Sequence, residues 1–149
     1  MKKRDFRIGR VNNVVREHRT ALVAIEILDR QLKLNPSLMA SHDLSPSDFV
    51  RFRDNLEGTY FIRVFAEFES AFRDVWNSTG RGTEPRTADL LDALTSRRTI
   101  SSLVLQNAHR VRKYRNGLVH QDSADAEAIS FAEAARDLLR FLAYMPANW

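Results

Sequence analysis

The stretch "FRDNLEGTYFIRVFAEFESAFRDVW" (Phe52–Trp76) decides the fold. Phe52, Leu56, Tyr60, Val64, Phe68, Phe72 and Trp76 recur every four residues. That step returns to nearly the same side of a helix with 3.6 residues per turn and does not fit the alternation of a strand. Phe61, Ile62, Phe65 and Val75 widen the stripe well beyond one seam. A helix apolar over that much of its surface either sits centrally in a bundle or also meets a second chain.

The same period extends to both sides. Upstream, Ser45-Pro46-Ser47-Asp48 has the makings of a helix start: a capping hydroxyl, a proline in the first turn and an acid near the positive end of the dipole. Before it, residues 35–47 read as a polar loop. Earlier still, Val11, Val14, Val15, His18, Leu22, Ile25, Leu28 and Leu32 outline a long amphipathic helix. It should end near Leu34, because Asn35-Pro36 does not continue it. Lys2, Lys3, Arg4, Arg7 and Arg10 ahead of it read as a solubilising tail.

Downstream, "NSTGRGTEP" (Asn77–Pro85) is a turn-rich break, followed by a short helix over "TADLLDALTS" with Thr87 as its cap. A fourth helix starts near Thr99, with Ile100, Leu103, Val104, Asn107, Val111, Tyr114 and Leu118 along one side. It should loosen at Asn116-Gly117, since glycine readily takes the left-handed conformation that ends helices. After a loop "HQDSAD", a last helix runs through Phe131, Ala135, Leu138, Leu142 and Met145. No strand alternation or tandem repeat occurs. The expected fold is all-α: an up-and-down bundle of four to five helices in one domain over residues 1–149.

Composition narrows the chemistry. The chain has 149 residues, 44% hydrophobic and 28% charged, which is ordinary for a folded domain. It has no cysteine, which removes disulfides, thiolate metal sites and cysteine nucleophiles, and suits a cytoplasmic location. The basic opening "MKKRDFRIGR" lacks the apolar run of a signal peptide, and no stretch approaches the ~20 apolar residues of a membrane span. His18, His42, His109 and His120 include no pair at the i, i+4 spacing of a helical metal site, so neither a metal nor a cofactor is expected. His109 and His120 are eleven apart, and the expected break at Gly117 argues against a shared face. "GRG" at 80–82 is too short for a phosphate loop, and no Gly-x-Ser-x-Gly elbow occurs.

What remains is "VRKYRNGLVHQ" (Val111–Gln121). The net charge is only +4, yet from Ala93 to Gln121 there is no acid, while Arg97, Arg98, Arg110, Arg112, Lys113 and Arg115 all fall inside. A basic block in a nearly balanced protein points to a local anionic partner. His120 can move a proton near neutral pH, and Arg115 offers a permanent planar cation for a phosphate gaining charge. These are the needs of RNA cleavage by the 2′-hydroxyl. Five residues apart on a continuous helix, the two side chains point about 140° from each other. They converge only if the helix ends between them, which Gly117 would allow.

"RNGLVH" (Arg115–His120) resembles the Arg-x(4–6)-His signature of HEPN domains, including the polar residue after the arginine, here Asn116. The setting is similar too, since the motif closes a basic helix and one further helix follows. "YFIRVFAEFESAFRDVW" (Tyr60–Trp76) looks like the second helix of the RiboL-PSP-like HEPN branch, with Phe65, Phe68 and Glu69 as its Phe-x-x-Phe-Glu pattern. The resemblance covers roughly residues 45–145. It implies a homodimer that brings two Arg/His motifs to one cleft. It also implies a metal-independent endoribonuclease that leaves a 2′,3′-cyclic phosphate, often a toxin or phage-defence effector. Arg115, His120 and Asn116 would then be the site. Arg110, Arg112 and Lys113 would bind the RNA backbone, transfer or messenger RNA included, and Glu69 would order Arg115 through an ion pair. Two other readings compete. One is an inactive HEPN module that binds RNA or a protein; the other is a structural bundle or the partner of an antitoxin-like protein.

Overall fold

Burial follows the apolar stripe of residues 52–76 onto a helix at the centre of the molecule. In a computed structural model describing residues 2–80, 82–120 and 127–149, the elements are α1 (Lys3–Leu34), α2 (Pro46–Asn77), α3 (Thr87–Arg98), α4 (Ser102–His120) and α5 (Phe131–Ala143). Helix α2 touches all four others. Phe61, Phe65, Phe68 and Phe72 are each 1% exposed or less, and every such ring withdrawn from water contributes about 1.5–3 kcal/mol. Phe68 meets Phe72 and Phe141 edge-on, with centroids 4.8 and 5.5 Å away, the geometry that aromatic quadrupoles favour. Of the two alternatives for so apolar a helix, its place in this chain is central.

Local chemistry sets the ends. Ser45 and Asp48 form the reciprocal capping box at the start of α2, with Pro46 in the first turn. Ser130 caps α5 by accepting from the Glu133 amide. Residues 35–47 do not form one open loop: two 3-10 turns, Pro36–Leu38 and Ala40–His42, tuck Met39 inward. The sequence "HQDSAD" lies outside the described residues from Gln121 onward. Phe52, Leu22 and Leu103, placed on inward stripes by their spacing, are 53%, 48% and 59% exposed.

The basic N-terminus is helix rather than tail. Arg7 pairs with Asp74 and donates to Ser70 at 3.2 Å, and Arg10 grips both oxygens of Glu67 at 2.6 Å. Arg63 of α2 answers Glu17 at 2.6 Å, so a ladder of charge pairs registers α1 along α2. The two ends of the chain also meet: the Arg4 amide donates to the Ala147 carbonyl at 3.1 Å, and the Arg4 guanidinium donates to the Met145 carbonyl at 3.3 Å. Among the described residues no helix is long and apolar enough to cross a membrane.

Candidate functional site

The motif sits on α4, which Val104, Ala108 and Val111 fasten to the core. Tyr114 packs edge-on against Phe61 at 4.8 Å and belongs to that packing face. Contrary to the break expected at Asn116-Gly117, α4 runs unbroken through Gly117 to His120. A glycine inside a helix costs roughly 1 kcal/mol, which tertiary contact can outweigh. Here the Leu118 side chain lies 3.9 Å from the position a Cβ would take on Gly58, so the turn beyond Gly117 docks against α2. Arg115 and His120 are therefore not turned toward each other within one chain. They leave the helix about 140° apart and about 7.5 Å along its axis.

Each half of the motif has its own environment. The Arg115 guanidinium lies over the Phe65 ring, 5.5 Å from its centroid, and donates to Asn116 Oδ1 at 3.1 Å. Its Nε is buried without an acceptor. A cation on an aromatic face gains about 0.5–2 kcal/mol and keeps its outer N–H groups for a second partner. Asn116 thus acts as a brace on Arg115. His120 is exposed at the end of the helix, beside Leu118 and Val119, which are 38% and 43% exposed.

The supporting residues differ from expectation. Glu69 is not ion-paired with Arg115. Its Oε1 accepts from Arg73 at 2.7 Å and from Thr87 at 2.6 Å, and this knot ties α2 to the start of α3. Burial pushes the Glu69 carboxyl up. The bonds from Thr87 and Arg73 and the charges of Arg73 and Arg115 outweigh it, so the net direction is down. Thr87 is drawn to Glu69 instead of capping α3, and that helix begins with no side-chain cap.

Arg110 is not free for a nucleic acid. It pairs with Glu133 of α5 and lies 3.6 Å from Asp137 and 3.9 Å from Glu127. Asp137 is 3% exposed, so Arg110 neutralises a carboxylate that is almost entirely buried. Arg112 and Lys113 are different: among the described residues neither has an ion-pair partner, Lys113 is exposed, and the Arg112 Nε is buried without an acceptor.

His109 donates from Nε2 to Asp92 of α3 at 2.9 Å, since a carboxylate can only accept. With α4 unbroken, His109, Arg112, Lys113, Asn116 and His120 fall within an arc of about 100° on one side of the helix. The shared face that a break would have denied therefore exists. His109 and His120 are nevertheless about 16 Å apart along the axis, too far to hold one ion. Among the described residues no three His, Asp or Glu side chains are grouped to bind a metal.

His18 lies in the core stripe, as its spacing indicated. It is packed 4.1 Å from Phe131 and 5.3 Å from Tyr60, ring to ring. Burial lowers its pKa, with Glu57 pulling weakly the other way. His42 is exposed in the second 3-10 turn.

Comparison of the chain with family models, with curated proteins and with solved structures finds no match.

Proposed function

We propose that this chain is a metal-independent endoribonuclease of the HEPN type that works as a homodimer, with a toxin or phage-defence role. The single observation that carries the reading is the state of Arg115. It is held over Phe65 and braced by Asn116, with no ion-pair partner among the described residues, inside the motif Arg115–His120. A guanidinium without a carboxylate partner keeps its outer N–H groups available, and a phosphodiester oxygen is a matching acceptor for them.

In the proposed reaction, the His120 imidazole takes the proton from a ribose 2′-hydroxyl. The 2′-oxygen attacks the adjacent phosphorus, forming one P–O bond as the bond to the 5′-oxygen breaks. Arg115 stabilises the extra charge on the non-bridging oxygens. Water returns a proton to the departing 5′-oxygen, leaving a 2′,3′-cyclic phosphate and a 5′-hydroxyl. Since Arg115 and His120 diverge within one chain, the site is composed across two copies, Arg115 of one working with His120 of the other. Leu118 and Val119, exposed beside His120, offer apolar surface for that pairing.

The same divergence favours a second reading, a HEPN module that binds RNA or a protein and cuts nothing. Incubating the purified protein with total RNA and with transfer RNA in excess EDTA separates the two. Cleavage is expected, with Arg115→Ala and His120→Ala each lowering it by about 10²-fold or more while the dimer persists in light scattering. Binding without cleavage moves the chain to the second reading. Full activity in His120→Ala overturns the mechanism.

A further inference from the structure

We infer that the cleft between α3 and α4 is a phosphate subsite, holding a backbone phosphate of an RNA strand laid along α4 away from His120. This inference rests on the ribonuclease reading and extends it to residues outside the cleaving pair. The cleft has a volume of about 620 Å³ and is lined by Ala88, Asp92, Gln106, His109, Arg112 and Lys113.

Charge bookkeeping identifies the ligand class. Arg110 and Glu127 also border the cleft, but Arg110 already faces Glu133 and Asp137. Asp92 is engaged by His109. Glu127 stands at the rim, 76% exposed and 3.9 Å from Arg110. Arg112 and Lys113 are left as two cations lining the cleft with no ion-pair partner among the described residues. The outer N–H groups of a guanidinium beside an exposed ammonium suit a phosphate oxygen.

The unbroken helix identifies the ligand as a strand. Arg112 and Lys113 share one side of α4 with Asn116 and His120, two turns further on. A strand entering at His120 and following that face meets Arg112 and Lys113 next. His109 closes the far end of the track. Its distance of about 16 Å from His120 along the helix is too great for it to carry a proton at the same phosphate. Asp92 holds its Nε2–H, so His109 bounds the cleft without donating to the phosphate.

The test uses a 12-nucleotide 2′-O-methyl RNA, which cannot be cut by its own 2′-oxygen. Fluorescence anisotropy across a salt series gives log Kd against log salt. Each phosphate contact on a single strand contributes a slope of about 0.7. Arg112→Gln and Lys113→Gln should each lower the slope by about 0.7, and the double variant by about 1.4, whereas Arg112→Lys should retain it. Tight RNA binding with slopes unchanged in the double variant overturns the subsite and leaves the ribonuclease reading standing. Should the unmodified protein bind no RNA even at low salt, that reading fails. Inorganic pyrophosphate followed by ¹H–¹⁵N correlation spectra then decides the cleft. Shifts at His109, Arg112 and Lys113 uphold it as a phosphate site, and unmoved resonances there overturn it.

Discussion

Replacing Gly117 by alanine tests the continuity of α4, on which the site geometry depends. Helical backbone at Gly117 means that alanine removes conformational freedom from the unfolded chain without backbone strain in the folded one. The gain should be about 0.5–1 kcal/mol. For a chain of this size, that corresponds to a rise in Tm of about 1–4 °C. Gly80 supplies the opposite case. Its φ is 72°, and a Cβ added there meets nothing within 4 Å, so Gly80→Ala isolates backbone strain. It should cost about 1 kcal/mol. Urea unfolding of both variants, with thermal melts alongside, gives the two signs. Gly117→Asn guards against a side-chain clash being mistaken for strain. In a helix, alanine should be the more stable of the two at position 117, whereas a left-handed helix end would favour asparagine. Asparagine more stable than alanine, with alanine below the parent protein, would refute an unbroken α4 and restore convergence of Arg115 and His120 within one chain.

Arg110→Ala should destabilise by roughly 1–3 kcal/mol, between the exposed and buried limits, because Glu133 loses its partner and Asp137, 3% exposed, keeps only the exposed Arg136 at 3.7 Å. Arg110→Ala combined with Asp137→Asn should recover part of that loss, read from urea midpoints. Stability should also fall as pH drops below about 6.5. Folded His18 holds its proton less tightly than the unfolded chain does, so in that window the unfolded state binds more protons and gains. Melting the parent protein and His18→Leu between pH 7.5 and 5.5 checks this: the variant should lose that part of the slope, and identical slopes would count against it.

What was legible in the sequence was whatever burial writes into periodicity. The phenylalanines of α2 mark its inner side because a central helix must be apolar broadly, and the Ser45–Asp48 cap is a local bond visible at a spacing of three. What escaped was contact between distant segments. Arg7 and Arg10 are helical because Asp74 and Glu67, far along the chain, give them partners. The neutralisation of Arg110 by α5 and the link from His109 to Asp92 also cross between helices, with no spacing to announce them. Two other features do leave a trace in the sequence. Arg73 lies four residues after Glu69, the spacing of a helical ion pair, and was the nearer claimant than Arg115. Glycine's propensity alone points to a helix end at Gly117, whereas Leu118 continues the apolar pattern beyond it.

The meeting of the two chain ends has a practical consequence. Lys3, Asp74, Ser78 and Trp149 border one common hollow, while Gly58, toward the opposite end of α2, lies beside Leu118. Sixteen residues of helix between Asp74 and Gly58 amount to about 24 Å. A dye joined at Lys3 or at Trp149 therefore reports from the same corner, about 24 Å from the Leu118 end of α4, so energy transfer between labelled copies can follow their association without crowding His120.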